Sequence, residues 1–237
     1  KKIIEDKKAE IPSKLPSGSI TPTRKDALAS IRAGRTDAGR RALIAEIKRK
    51  SPSLGSINPG MTIRKALSLY EPFADAISVL TETNYFGGSL EDLREAADST
   101  GLPLLRKDFL THPVQVAEAR YYGADFYLLI VAALGKNQLA ELIHAGEEWN
   151  MPALVEVHTE AELETALEVG VKLLGINNRS LIDLKIDIGT TARLAARIPA
   201  STRKEILLIS ESGIKTTGNL GVVGKCADGV LIGTAFM

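Results

Sequence analysis

The chain has 237 residues, 44% hydrophobic and 25% charged, which is an ordinary globular composition and enough length for one large domain or two small ones. A net charge of +1 leaves no electrostatic footprint for nucleic acid, and no apolar run reaches membrane-spanning length. The single cysteine, Cys226, excludes an internal disulfide; with His112, His144 and His158 scattered without ligand spacing, it also argues against a zinc site, and a reducing cytoplasm is the expected setting.

Residues 1–23 are charged, then rich in Pro, Ser and Gly. They read as a short helix and an exposed connector, without the apolar core of a signal peptide. A second helix is expected over 23–35, with Ala27, Leu28 and Ile31 on one face and Gly34 near its end. Residues 1–42 thus read as an N-terminal helical extension, forming one domain with the body at 43–237.

From Leu43 the pattern alternates. Strands are expected over 43–47, 76–80, 102–105, 126–131, 153–157, 173–176, 206–210 and 229–232. Helices are expected over 63–73, 90–100, 114–122, 137–149, 160–169, 188–197 and 217–225. Ser89 and Thr159 stand at helix starts, and Glu162, three residues after Thr159, completes a capping-box pattern. Gly101, Gly123 and Gly170 follow helix ends, where a left-handed residue is wanted. The last helix, TTGNLGVVGKC, is weakened by three glycines, each costing about 1 kcal/mol in a helix interior.

This alternation predicts an α/β fold with a parallel sheet. Eight strands in a chain of this size favour a (β/α)₈ TIM barrel over an open doubly wound sheet. An open sheet would also carry a Gly-rich turn after its first strand, where KRKSPS stands instead. Only 234–237 follow the last strand, so the eighth helix is expected to be missing.

In such a barrel the chemistry sits at the C-terminal strand ends. Those ends carry Glu46, Lys48 and Ser51; Thr81 and Glu82; Arg106, Lys107, Asp108 and Phe109; Glu156 and His158; Asn177, Asn178 and Arg179; Glu211, Ser212 and Gly213; and Gly233 and Thr234. Strand parity groups Lys107 with Leu105 and Phe109, Glu156 with Leu154 and His158, and Asn177 with Gly175 and Arg179. ESGI at 211–214 and IGTA at 232–235 read as a phosphate cradle, joined by Ser51 from the neighbouring first strand and by a short helix N-terminus after the last strand. The set suggests acid–base chemistry on an anionic sugar phosphate, with a lysine whose pKa is lowered by neighbouring cations and a glutamate that takes or returns a proton. That chemistry requires no metal and no redox cofactor.

The segments IAEIKRKSPS (44–53), ISVLTE (77–82) followed by YFGGS, PLLRKDF (103–109), ALVEVH (153–158), LGINNRSL (174–181), SESGI (210–214) and VLIGTAFM (230–237) closely resemble the indole-3-glycerol-phosphate synthase family, in that family's order. The resemblance implies a carboxy-lyase of tryptophan biosynthesis that closes 1-(2-carboxyphenylamino)-1-deoxyribulose 5-phosphate to indole-3-glycerol phosphate, releasing carbon dioxide and water. It implies Lys107 as the general acid of ring closure, Glu156 as an aid to dehydration, and Lys48 beside Glu46 on the carboxylate that is lost. Asn177 and Arg179 would hold the substrate with Glu211; Phe109 and Leu181 would line the aryl pocket; Ser51, Ser212, Gly213, Gly233 and Thr234 would bind phosphate. The partner is then a small sugar phosphate, met by a monomer, with no nucleic acid and no membrane.

Two other readings are weighed. A sugar-phosphate isomerase barrel needs an acid–base pair typically containing Cys or Asp, and Cys226 sits just before the eighth strand. A phosphate-binding barrel without turnover would have no use for Lys48, Lys107 and Glu156.

Overall fold

The computed structural model describes every residue except 1, 2, 4, 7–10, 13, 14, 16, 17, 37, 38, 53 and 237. The short helix expected within 1–23 falls largely outside the described residues. The barrel strands are β1 Ala42–Ile47, β2 Ala76–Leu80, β3 Leu104–Lys107, β4 Phe126–Ile130, β5 Ala153–Val157, β6 Leu173–Asn177, β7 Leu207–Glu211 and β8 Gly229–Ile232. Each pairs in parallel with its sequence neighbours, and β8 closes on β1. The helices are α1 Ala27–Gly34, α2 Ile63–Tyr70, α3 Leu90–Ala97, α4 Pro113–Tyr121, α5 Lys136–Glu147, α6 Glu160–Glu168, α7 Gly189–Ala195, α8 Ala200–Arg203 and α9 Thr217–Val223. This is a (β/α)₈ barrel.

The two-residue period of the strands divides the apolar residues into two layers. Ile44, Leu105, Leu128, Leu154, Leu173 and Ile209 fill the barrel interior. Ala45, Val79, Leu129, Val155, Leu174 and Leu208 face the surrounding helices. Each fully buried Leu or Ile contributes about 1.5–3 kcal/mol relative to exposure.

Three strands run further than their sequence suggests. β3 is shifted to Leu104–Lys107, so Arg106 and Lys107 lie in the sheet rather than beyond it. A buried charge is tolerated there because it is paired. Arg106 points outward, where it donates to the Gln115 carbonyl and to Glu118 Oε2, both at 2.9 Å, and lies 3.3 Å from Asp108 Oδ2. β6 extends by one residue and β7 is shifted by one, which pairs Asn177 with Glu211.

The helix ends hold two corrections and one surprise. Gly123 and Gly170 take positive φ, whereas Gly101 does not, because α3 ends earlier, at Ala97. Thr159 caps α6 as expected, but the Glu162 carboxylate reaches His158 rather than the Thr159 N–H, so the capping box is only half formed. The glycine-rich α9 does form; Thr216 caps it by accepting from the Asn219 N–H, and Val223 packs with Ile214 and Val230.

The N-terminal end of the barrel is closed by α1, whose Ala27 and Ile31 join the interior cluster. Three aspartates, Asp75, Asp125 and Asp228, each stand immediately before β2, β4 and β8. Their carboxylates accept the N–H groups of Leu43, Leu104 and Leu208 at 2.8, 3.0 and 2.8 Å. Each also binds a cation of the N-terminal segment: Arg40 to Asp75, Lys25 to Asp125 and Arg35 to Asp228. The Ala-Asp dipeptide preceding these strands is a short internal repeat; Lys172 takes the corresponding place before β6. After β8 the described chain turns at once, with the Phe236 N–H on the Gly233 carbonyl.

Candidate active site

Parity turns Glu46, Lys107, Glu156, Asn177 and Glu211 toward the barrel mouth, on the same face as the interior residues Ile44, Leu105, Leu154, Leu173 and Ile209. The ammonium of Lys107 is the centre. Its Nζ lies 3.1 Å from Glu156 Oε2 on β5 and 3.1 Å from Glu211 Oε2 on β7. Both carboxylates are almost wholly buried, at 2% and 1% exposure, so these charges interact with little screening by water. At the end of β1, Lys48 donates to Glu46.

The charge state of Lys107 differs from the sequence-based expectation. Burial works to lower its pKa, but the carboxylates of Glu156, Glu211 and Glu46 outweigh that and raise it above the usual lysine range. Lys107 is crowded by anions rather than cations and is fully protonated at neutral pH. Burial works to raise Glu156, yet Lys107, His158 and Asn177 hold it below the usual carboxylate range. Burial, with Glu156 nearby, pushes Glu211 up against the pull of Lys107. The two glutamates around one lysine therefore differ in proton affinity, the arrangement from which acid and base roles can be divided.

Two glycines make room for these acids. A Cβ on Gly175 would overlap Glu211 Oε1, and one on Gly233 would fall 2.5 Å from Glu46 Oε1. Asn177 stands beside Glu156 and its Oδ1 accepts the Arg179 N–H at 2.9 Å. The Arg179 guanidinium turns instead to the Leu184 carbonyl of its own loop, at 3.1 Å. Phe109 sits on top of the interior cluster with its ring 6.3 Å from that of Phe86, while Leu181 is 46% exposed on the loop after β6.

The expected phosphate residues lie at the ends of three adjacent strands, β7, β8 and β1. Ser212 and Gly213 both take positive φ, 64° and 81°, which reverses the chain after β7. A Cβ on Gly213 would overlap Ile186. Gly233 is buried, Thr234 is half-buried, and the buried Ser51 hydroxyl accepts the Leu54 N–H at 3.2 Å.

Other polar strand ends serve the scaffold. Glu82 accepts the N–H groups of Asn84, Tyr85 and Phe86 and closes the loop after β2. Thr81 and Asp108 join the outward Arg106 network. Asn178 points away from the mouth; its amide donates to Ser210 Oγ and to the Glu211 and Ser212 carbonyls, and its oxygen accepts from Thr191. His158, which received no role from the sequence, contacts Glu156 and Glu162; the alternation Glu-Val-His along β5 was the available signal.

Among the described residues no group of three or more His, Cys, Asp or Glu is arranged to hold a metal ion, and no helix is long and apolar enough to cross a membrane. An open groove of about 810 Å³ lies at the opposite end of the barrel, lined by Arg32, Arg35, Arg203 and Lys225 among others. The acid–base set, by contrast, is at the mouth.

Solved structures share the fold at low identity. They include the tryptophan synthase alpha subunit of Legionella pneumophila (TM-score 0.60, 15% identity, 88% of this chain and 85% of that one). The N-acetylmannosamine-6-phosphate 2-epimerase of Clostridium perfringens is similar (TM-score 0.62, 16% identity, 93% and 94%). Sequence relatives are much nearer. The indole-3-glycerol phosphate synthase of Aquifex aeolicus is 48% identical over 197 residues, covering 82% of this chain and 76% of that protein. That of Bacillus cereus is 40% identical over 238 residues, covering 100% and 91%. The family model for indole-3-glycerol phosphate synthase matches residues 1–237. Matched by that family model along its whole length and by relatives at 40% and 48% identity, the chain belongs to the indole-3-glycerol phosphate synthase family.

Proposed function

We propose that the Lys107–Glu156–Glu211 cluster carries out the family's reaction, converting 1-(2-carboxyphenylamino)-1-deoxyribulose 5-phosphate to indole-3-glycerol phosphate, carbon dioxide and water. The observation that carries the reading is the protonated Lys107 ammonium held 3.1 Å from each of two buried glutamates. Such an ammonium donates to the ribulose carbonyl oxygen as the aryl carbon attacks, so that negative charge develops beside a fixed donor. Loss of carbon dioxide from the ring carbon restores the electron pair. The new hydroxyl then leaves as water: Glu156 takes a proton from the adjacent ring carbon, that C–H pair becomes the indole double bond as the C–O bond breaks, and the proton is returned to the departing oxygen.

The remaining roles follow from charge and position. Lys48, held by Glu46 in the free chain, exchanges that partner for the substrate carboxylate. Asn177, Arg179 and Glu211 hold the ribulose chain, and Phe109 and Leu181 line the aryl side. Ser51, Ser212, Gly213, Gly233 and Thr234 anchor the phosphate. Binding energy at that remote phosphate is spent on bringing carbon to carbon, a positioning effect.

The same reading takes the protein as a monomer working in the cytoplasm on a small sugar phosphate; sedimentation at assay concentration tests the oligomeric part. The reaction itself is tested by turnover of the carboxyphenylamino-deoxyribulose phosphate, followed by indole fluorescence. Appearance of indole-3-glycerol phosphate is expected. A folded protein that binds this substrate without releasing product would reject the reading.

A further inference from the structure

Glu162 is the third residue of α6, where a glutamate ordinarily reaches back to the N-cap N–H. Its Oε2 instead accepts from His158 twice, from the backbone N–H at 2.8 Å and from ring Nδ1 at 3.0 Å. The other ring nitrogen, Nε2, lies 3.2 Å from Glu156 Oε1. The second oxygen of Glu156 is the one that faces Lys107. The His158 side chain is only 6% exposed.

Both ring nitrogens therefore face carboxylates, which offer only lone pairs. A neutral imidazole carries one N–H and one lone pair, and would set that lone pair against an anion. Only the imidazolium has a donor at each end. The contact to Glu156 is an ion pair off the hydrogen-bond line, so it holds that oxygen by charge.

We propose that His158, clamped by Glu162, is a positioning residue of this active site, its imidazolium fixing one oxygen of Glu156 and leaving the other turned to Lys107. This rests on the role given above to Glu156. The groups facing Glu156 are Lys107 from β3, Asn177 from β6, His158 from its own strand and Glu211 from β7. Those facing His158 are Glu156 and Glu162. Burial opposes charge on the imidazole, but these two carboxylates overcome it and push its pKa up to about 9, in keeping with the geometry.

The test is kcat and KM from about pH 5 to 10 for wild type, H158A, H158Q, E162Q and E156Q, with folding checked by circular dichroism. In H158A and E162Q, kcat is expected to fall on the order of 10- to 100-fold while KM stays within about two-fold. In H158A the acid limb of kcat moves to higher pH, because Glu156 has lost a cation that holds it ionised. H158Q, which keeps a neutral donor, recovers part of kcat but retains the displaced limb. If E156Q loses turnover while H158Q and E162Q fold and keep wild-type kcat and pH profile, this proposal is overturned and the role of Glu156 stands. If E156Q turns over normally, the role of Glu156 fails, and this proposal with it.

Discussion

Gly175 on β6 lies so close to Glu211 on β7 that a Cβ at 175 would occupy the position of Glu211 Oε1. The absent side chain is what lets the glutamate lean across the barrel to Lys107. Gly175→Ala is expected to push Glu211 off Lys107 and lower kcat on the order of 10- to 100-fold, with the barrel still folded. Steady-state kinetics beside a urea titration will separate the two effects. Unchanged kcat would mean that Glu211 can serve from another rotamer.

Lys107 neutralises two buried carboxylates, so its removal has a cost beyond catalysis. Lys107→Met should abolish ring closure and destabilise the fold by about 3–5 kcal/mol near pH 8. With the ammonium gone, Glu156 and Glu211 would both prefer to be protonated when folded, so their folded pKa values lie above the unfolded ones. The loss therefore shrinks as the pH falls toward about 5, where the carboxylates take up protons. Urea unfolding of both proteins at the two pH values measures it; a loss that does not depend on pH would contradict the pairing.

His158 makes the opposite kind of contribution. Its folded pKa of about 9 exceeds the free value of 6.5, so its stabilisation is full below about pH 6.5 and fades as the pH rises through 9. The amount at stake is on the order of 3 kcal/mol. The stability difference between wild type and His158→Gln should therefore be larger at pH 6 than at pH 9.5. Equal differences would argue that the imidazole is neutral throughout.

Asp228 joins β7, β8 and the N-terminal segment at the end away from the mouth. It accepts the Leu208 N–H at 2.8 Å and pairs with Arg35 and Arg203 at 2.5 and 2.9 Å. Asp228→Ala is expected to cost about 2–4 kcal/mol in urea unfolding, and Asp228→Asn less, since the amide oxygen still accepts from Leu208. Turnover at low temperature should be unaffected in both. A loss of turnover in a folded Asp228→Asn would mean that this end communicates with the mouth.

The Ser212–Gly213 reversal and the neighbouring ends of β8 and β1 are expected to bind inorganic phosphate, which should compete with substrate at a Ki on the order of millimolar. Gly213→Ala, which meets Ile186 and a positive φ of 81°, should raise KM more than it lowers kcat. An absence of competition at tens of millimolar phosphate would remove the cradle.

Much of this was legible in the chain. The alternating pattern gave eight strands and their order, because helix and strand burial leave distinct periods, and the strand count favoured the barrel over an open sheet. Parity alone also placed Lys107, Glu156 and Asn177 on common faces with residues that do line the interior. Local rules erred where a distant group competed. Charged Arg106 and Lys107 looked like the end of a strand until Glu118, Asp108 and the mouth glutamates satisfied them, and Glu162 looked like a cap until His158 took its carboxylate.

What only the tertiary structure decided is the partner of each charge. Lys107 meets Glu156 and Glu211 across separations of 49 and 104 residues, and no local pattern reports such a contact. Its charge state reversed for that reason, since a pKa depends on what stands within a few ångströms in space rather than along the chain. The aspartates before β2, β4 and β8 were visible as letters but not as staples, because their hydrogen bonds run to neighbouring strands that only closure of the barrel brings alongside. The sequence by itself narrowed the mouth to a set of polar strand ends, because the two-residue period fixes which of them share a face; the folded barrel determined which of those face inward and which carry a proton.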